Sequence, residues 1–374
     1  MEKVQNIAEY FAEVETTTQH KGYFCSVGNA LTIVILGLLC GLRNVSQVHQ
    51  WATSSRVSEF LAKHFRINRI PCYYWLLCLL KIIDPKALNL CFIKWVQSIL
   101  PEGTKAMTIS IDGKTIRSTG KMGKYKNALH IVSAHIANLG ITLAQETVDD
   151  KSNEIPVMRD LIKLLEIEGC MIVADALHCQ KETCAAIVEK GGDYILSVKS
   201  NQENLREDIE DYVQDDELRE SMDTASTSEK NNGRIEVRQA FVSQDIDWIF
   251  DKDEWANLAC IGAINTQTTT AKGTSNEWHY FISSRKLSAE ELLKHVRLEW
   301  SVESMHWLLD VHFAEDFCRV EDKTIQQVLN MVRKVAINCT KTYKQKSAPK
   351  RALSKIMLDC LLDCEHLIPV LSAS

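Results

Sequence analysis

The hydrophobic pattern of the chain changes at Met107. Before this residue the apolar side chains have helical spacing, and prolines separate the segments. Proline ends a helix because it lacks a backbone donor and clashes with the preceding turn. After Met107, short apolar segments typical of strands alternate with amphipathic segments. The change predicts an all-helical N-terminal domain over residues 1–100 and an α/β domain over residues 105–374.

Within the α/β part, the pattern predicts a mixed sheet flanked by helices. The first strand, 107–112, is expected to end in an Asp112-Gly113 turn, because this dipeptide is typical of turns. Further strands are predicted at 128–137, 141–148, 171–174 and 194–198, and helices at 155–165 and 181–189. The polar stretch 215–230 is interpreted as a surface loop. Strands at 234–242, 258–265 and 278–283 form a β-rich insertion at about 219–284, and the chain is helical again from Ala289.

Composition excludes several classes of protein. Hydrophobic residues make up 45% of the 374 residues, enough for ordinary globular cores. A net charge of −6 argues against coating nucleic acid through bulk positive charge, although local basic patches stay possible. The 13 cysteines form no CxxC pair and follow no secretory signal, which favours reduced thiols in the cytoplasm. The apolar run 30–42 is shorter than the about 20 residues of a membrane span, so we expect a soluble protein with a buried helix there.

Three acidic residues are candidates for a metal site. Asp112 and Asp175 each follow a predicted strand, and ligands bind at strand ends in α/β sheets. Glu303 borders the apolar face of a predicted helix and could supply a third carboxylate. Carboxylates suit Mg²⁺, which keeps waters and room for phosphate oxygens. The residues alone leave other roles open: Asp112 as a turn residue, Asp175 as a helix N-cap and Glu303 as a solvated side chain.

Longer segments resemble one known family. They include IDGKTIRST from Ile111, GCMIVADALHCQ from Gly169, DYILSVKSNQ from Asp193 and EWSVESMHWLLDVHFAEDF from Glu299. In this order they are similar to the H-repeat-associated transposases, a branch of the DDE insertion-sequence transposases with an RNase H-like catalytic domain. The resemblance covers nearly the whole chain.

The resemblance implies a fold, a reaction and a set of site residues. Asp112, Asp175 and Glu303 would be the metal-binding acids, holding two Mg²⁺ or Mn²⁺ ions, with the β-rich insertion between the second and the third. A metal-activated water would cut DNA at the element's ends, and the freed 3′-hydroxyl would attack target DNA. The protein would act as a homodimer or larger assembly. One departure is Glu299, because relatives carry a basic or histidine residue there; another is Asn232, which replaces a histidine.

Basic side chains near the predicted acids are candidates for DNA contact, because cations neutralise phosphates. They are Lys114, Arg117, Lys121, Lys124, Lys199, Arg234 and Arg238. A solvated surface is the alternative for the first four, and a salt bridge to Glu236 is the alternative for the two arginines. Asn201 is interpreted as a helix N-cap, and Trp300 and Trp307 as core residues.

Three functions are compatible with these residues. The first is a DNA transposase that performs metal-dependent cleavage and strand transfer. The second is an inactive or repurposed relative that only binds DNA, and the third is a stand-alone metal-dependent nuclease of the same fold. Retention of all three acids favours the first over the second. Terminal inverted repeats beside the gene would separate the first from the third.

Overall fold

A computed structural model describes residues 7–12, 14–18, 24–100, 107–116, 119, 128–148, 154–231 and 233–373. The α-helices are α1 (Ile7–Tyr10), α2 (Val27–Leu39), α3 (Val45–Ala52), α4 (Ser55–Phe65), α5 (Tyr73–Lys81), α6 (Pro85–Ile99), α7 (Glu154–Leu164), α8 (Lys181–Glu189), α9 (Glu203–Gln214), α10 (Asp216–Ser221), α11 (Ala289–Glu299), α12 (Ser301–Phe313), α13 (Lys323–Ser347), α14 (Leu353–Leu362) and α15 (Leu367–Ser372). The strands are β1 (Thr108–Ile116), β2 (Leu129–Ile136), β3 (Ile141–Val148), β4 (Met171–Ala174), β5 (Asp193–Val198), β6 (Asp223–Asn231), β7 (Arg234–Ser243), β8 (Cys260–Thr270) and β9 (Gly273–Ser283).

The strands of the described residues form one mixed sheet in the order β3-β2-β1-β4-β5-β9-β8-β7-β6. β1, β4 and β5 are parallel to one another, whereas β2 and β3 form an antiparallel hairpin at one edge. β9 pairs antiparallel with β5 and joins the β6–β9 meander to the sheet. The predicted β-rich insertion is thus a continuation of the same sheet. Helices cover both faces, which confirms the predicted mixed α/β class.

The side chains of β4 show how the two faces of the sheet are covered. Successive residues of a strand point to opposite faces. Met171 and Val173 pack in a cluster with side chains of α11, whereas Ile172 and Ala174 belong to the large core shared with α7, α8 and the N-terminal helices. Because both faces of β4 are covered, all four of its residues are buried, as is typical of a central parallel strand.

α2 confirms the prediction of a buried helix at residues 30–42. Every residue of α2 except Asn29 is buried, and the helix packs against α3, α5 and α13. A helix that is apolar on all sides is stable in water only when other elements surround it. Ser26 caps it by accepting a hydrogen bond from the Asn29 N–H. In the described part of the chain, no helix is long and apolar enough to span a membrane.

Two predictions about single elements are wrong. β1 does not end at Asp112, because Asp112 and Gly113 pair with Ser133 and Val132 of β2, and the strand runs on to Ile116. The stretch 215–230 is not a loop: it contains α10 and most of β6. β6 pairs with β7 along its whole length at the edge of the sheet, where one side faces water and tolerates Ser and Thr. The boundary between the two predicted domains stays a prediction.

Candidate active site

The register of β1 and β4 brings two predicted acids together. These strands are parallel, and their last pair is Ile111 with Ala174. The next residue on each strand is an aspartate, Asp112 on β1 and Asp175 after β4. Both point to the face of the sheet that α11 covers, since they alternate with side chains of the opposite core. Long-range pairing thus places the two carboxyl groups side by side at the point where the strands diverge.

The electrostatics of Asp112 agree with this placement. Burial raises the pKa of the Asp112 carboxyl to about 6; the Gly113 N–H opposes the shift, and the negative charges of Asp175 and Glu154 add to it. Like charges at short range disfavour ionisation of each other. Bound cations have the opposite effect, so the pair is an environment in which a cation would be stabilising.

Asp175 also organises the loop in which it lies. Its Oδ1 accepts a hydrogen bond of 3.1 Å from the Leu177 N–H and so caps the short 3₁₀ turn at 176–178. The N-cap role that the sequence left open is therefore present. From the neighbouring strand end, Asn201 Nδ2 donates to the Ala176 carbonyl at 2.6 Å. The sequence suggested that Asn201 is the N-cap of α9, and this prediction is wrong, because Gln202 occupies the N-cap position.

The junction of α11 and α12 contains two glutamates. α11 ends at Glu299, Trp300 follows, and α12 places Glu303 in its first turn, where the side chain is exposed. Burial, and then the charges of Asp175 and Asp112, raise the pKa of Glu299 to about 7, while Lys199 opposes the shift. Glu299 therefore faces the aspartates. In the sequence, Glu299 stands out only as a departure from the family, and the signal for its placement is that it lies four residues before Glu303.

A pocket of about 140 Å³ opens beside the acids. Polar and charged side chains from four elements reach it: Asp175, Lys199, Arg238, Arg297, Glu299 and Trp300. The rest of its wall combines apolar Ile264, Phe281, Leu293 and Val296 with polar Ser197, Thr266 and His279. Part of the pocket comes from the β6–β9 meander, so this insertion contributes directly to the site.

A buried cluster lies on the other side of β1, behind Asp112. Glu154 Oε2 is 2.8 Å from His130 Nε2, and Glu154 Oε1 is 3.3 Å from His178 Nε2. His130 Nδ1 in turn contacts Thr115 Oγ1 at 2.8 Å. Burial favours the neutral form of Glu154, but the two histidines outweigh it and lower its pKa to about 2. The cluster is thus a buried carboxylate held between two histidines and packed directly against Gly113.

The donor set suits a hard divalent cation. Mg²⁺ binds through one or two carboxylates and fills its other positions with waters and substrate phosphates. Asp112 and Asp175 supply two such groups, with Glu299 and Glu303 from the α11–α12 junction nearby. Among the described residues, no group of three or more His, Cys, Asp or Glu side chains is arranged so that it could hold a metal ion. The two aspartates are thus the part of the donor set that strand pairing brings together.

The predicted DNA-binding residues have different surroundings. Lys199 lines the pocket beside Asp175. Arg234 and Arg238 both form salt bridges with Glu236, which is the alternative that the sequence left open. Lys114 is ion-paired inside the protein with Asp310 and Glu315. Arg117, Lys121 and Lys124 lie outside the described residues.

The two tryptophans near the acids are not core residues, contrary to the prediction. Trp300 is 44% exposed and Trp307 60% exposed. The guanidinium of Arg238 lies 4.8 Å from the centre of the Trp300 ring, a cation–π contact at the rim of the pocket. A spacing of seven residues would place both side chains on one buried face of a single helix. Trp300 instead lies at the junction of α11 and α12, so the two residues do not belong to one continuous helix.

Comparison with known proteins identifies the family. Residues 103–339 match the family described as Transposase DDE domain, which is more than half of the chain, and residues 8–96 match the family described as DDE_Tnp_1-associated. The chain belongs to the DDE transposase family. The matched range contains both aspartates, both glutamates and the whole sheet.

Relatives of this transposase-family chain occur in Escherichia coli. YhhI of strain K12, named for the H repeat-associated transposases, is 32% identical over 315 residues, which is 82% of each chain. YncI of strain O157:H7, also named as a transposase, is 30% identical over 364 residues, covering 95% of this chain and 93% of its own. The resemblance to H-repeat-associated transposases stated from the sequence is confirmed.

A solved structure shares the fold. The piggyBac transposase, in a synaptic complex with hairpin DNA, aligns with a TM-score of 0.51 at 10% identity, over 97% of this chain and 80% of its own. Similarity at this identity concerns the fold. Together with the order β3-β2-β1-β4-β5, it confirms the predicted RNase H-like catalytic fold.

Proposed function

We propose that this protein is a DNA transposase that cleaves the ends of an insertion sequence and joins them to target DNA in a divalent-metal reaction. The observation that carries the proposal is that Asp112 and Asp175 directly follow the last residue pair of β1 and β4, in a chain that belongs to the DDE transposase family. The proposed partners are the element ends and target DNA. The proposed working form is a homodimer or larger assembly in the cytoplasm.

Asp112, Asp175 and Glu303 would hold the metal, as two Mg²⁺ or Mn²⁺ ions. When bound, two such ions stabilise charge on the attacking and leaving oxygens of phosphoryl transfer. Asp112 sits on a strand paired on both sides, which fixes its position. Asp175 is oriented by its hydrogen bond from the Leu177 N–H. Rigid placement matters because misplacement by 1 Å can cost about 10²-fold in rate.

Glu299 is a second candidate for the third carboxylate. Its side chain senses the charges of both aspartates, whereas Glu303 is exposed at the start of α12. The family resemblance favours Glu303, and the electrostatics favour participation of Glu299. With a pKa of about 7, Glu299 could also exchange a proton near neutral pH without metal, since its two forms are then equally populated.

The proposed DNA path crosses the pocket rim. Lys199 lies beside Asp175, where a phosphate held at the metal would need a compensating cation. Two arginines lie in the same region: both form salt bridges with Glu236, and Arg238 also contacts the Trp300 ring. The predicted contacts Arg117, Lys121 and Lys124 follow β1 in sequence and stay predictions.

The test is cleavage and joining of labelled DNA that carries the gene's own flanking sequences. The assay compares Mg²⁺, Mn²⁺ and EDTA for the wild type and for Asp175→Asn. We expect metal-dependent nicks at the element boundary and joined products, both lost in the variant. Nicking without joining would instead indicate a nuclease. Salt-sensitive binding without any cleavage would indicate a repurposed DNA-binding relative, and both results would overturn the proposal.

A further inference from the structure

Lys114 is held inside the protein by two carboxylates. It lies two residues after Asp112 on β1, so both side chains point to the same face of the sheet. Its Nζ is 2.9 Å from Asp310 Oδ1 and 2.8 Å from Glu315 Oε2. The Lys114 side chain is only 14% exposed, and that of Glu315 is fully buried. This basic residue is therefore already neutralised by the protein itself.

The contacts of β1 with α12 occur on two successive helical turns. His306 Nδ1 lies 3.7 Å from Asp112 Oδ2, and Asp310, four residues later, binds Lys114. Residues four apart share one face of a helix, and so do residues three apart. Glu303 precedes His306 by three residues, so it continues the same row towards the acids.

The far end of α12 is attached by the same network. Ala314 ends the helix with a left-handed φ of 47° and directs the chain into the turn that contains Glu315. Glu315 Oε1 accepts a hydrogen bond of 2.6 Å from Asn330 Nδ2 of α13. The Asp316 N–H donates to Asp310 Oδ1 at 3.2 Å. Lys114 thus connects β1, α12 and α13 through buried, charge-assisted hydrogen bonds.

We propose that Lys114, Asp310 and Glu315 form an internal brace that fixes α12, and with it Glu303, against Asp112. Lys114 is then a positioning residue of the active site and not a phosphate contact. The effect of the brace on DNA cleavage rests on the proposed function. Its effect on the attachment of α12 does not, so the two can be tested separately.

The first test is amide hydrogen exchange of Asp310→Asn. Asp310 is 32% exposed, so its replacement leaves the buried pair of Lys114 and Glu315 intact. Asp359→Asn is the matched control, because Asp359 lies on α14, is 28% exposed and forms a salt bridge with Arg351, which precedes that helix. We expect exchange in α12 to accelerate on the order of tenfold in Asp310→Asn, through lost charge-assisted bonding. The control should leave α12 unchanged. Equal exchange of α12 in both variants would overturn the brace.

The second test separates positioning from phosphate contact. Lys114→Gln combined with Glu315→Gln removes both buried charges together, because loss of Lys114 alone would leave a buried unpaired carboxylate and risk misfolding. A phosphate contact predicts that the slope of log affinity for DNA against log salt falls by about 1. The brace predicts an unchanged slope with faster exchange in α12. A reduced slope would reassign Lys114 to DNA.

The cleavage assay tests whether the brace affects the metal-dependent reaction. In Asp310→Asn, the Mn²⁺ concentration for half-maximal cleavage should rise on the order of tenfold, because Glu303 is less well placed. An unchanged requirement, with faster exchange in α12, would refute the role of the brace in the site. If the wild type does not cleave at all, the proposed function fails, and the exchange result still decides whether the brace holds α12.

Discussion

Replacement of Gly113 by alanine should disrupt the cluster behind Asp112. An added Cβ would lie 2.5 Å from Glu154 Oε1 and 2.7 Å from His130 Nε2. Real Cβ atoms do not approach other atoms so closely, and β1 is held by β2 and β4 on its two sides. The methyl group must therefore push Glu154 away from His130, to which it is bonded at 2.8 Å.

The magnitude has two parts. Insertion of a methyl group into a packed site costs about 1–3 kcal/mol. Separation of a buried, charge-assisted hydrogen bond costs about 1.5–3 kcal/mol more. We expect Gly113→Ala to lower the free energy of unfolding by about 2.5–6 kcal/mol. In a Glu154→Ala background only the close contact with His130 remains and no bond between Glu154 and His130 is broken, so there the same substitution should cost only the packing part of about 1–3 kcal/mol.

The assay is urea unfolding of the single and double variants, monitored by tryptophan fluorescence. Gly262→Ala is the matched control: its Cβ would lie 2.6 Å from Leu292 Cδ2, the end of a flexible side chain. The control should cost clearly less than Gly113→Ala, because displacement of the buried Leu292 side chain breaks no hydrogen bond and leaves only the packing part. Equal costs in the two glycine variants, or an undiminished cost in the Glu154→Ala background, would refute the reasoning.

Three further outcomes are expected. Burial lowers the pKa of Lys334 from its usual 10.5 to about 7. The buried lysine therefore lowers the free energy of unfolding by its full amount below pH 7, and this loss shrinks as pH rises towards 10.5. Lys334→Met should therefore raise the free energy of unfolding by about 2 kcal/mol at pH 6, net of the lost bond to Ser133, and by nearly nothing at pH 10, as urea titrations would reveal. Glu299→Gln should tighten metal-free DNA binding by about threefold at pH 8 and not at pH 6, because burial and the two aspartates leave Glu299 neutral below its pKa of about 7; gel shifts in EDTA at both pH values check this. Lys199→Ala should reduce the salt slope of DNA binding by about 1 in fluorescence anisotropy titrations, and an unchanged slope would remove Lys199 from the DNA path.

The sequence predicts well those helices and strands whose hydrophobic pattern is complete within the segment. β4 and α8 begin and end at the predicted residues, because a short apolar run and an amphipathic period are complete within each segment. The 138–140 turn joins β2 to β3 as expected, with Gly140 at a φ of 62°. β6 was missed because an edge strand of Ser and Thr has no apolar period, and its hydrogen bonds depend on a distant partner, β7.

The geometry around the candidate residues could not be predicted from the sequence. Family resemblance singled out Asp112 and Asp175, but their adjacency depends on the parallel register of two strands far apart in sequence. The same long-range packing turns Glu299 towards the acids and leaves Trp307 in solvent. Lys114 shows the limit most clearly: a lysine beside a predicted metal-binding aspartate suggests DNA contact, and only the fold reveals that Asp310 and Glu315 enclose it.

The most direct test of the proposed metal site replaces one of its ligands by a residue with a different metal preference. Asp175→Cys replaces a hard oxygen by a soft sulfur, which Mg²⁺ binds poorly and a transition-metal ion such as Mn²⁺ tolerates better. With labelled element-end DNA, we predict that the variant loses cleavage in Mg²⁺ and regains a measurable part of it in Mn²⁺, while Asp175→Asn stays inactive in both. Cleavage by Asp175→Cys in Mg²⁺ at the wild-type rate would contradict the claim that Asp175 holds the metal.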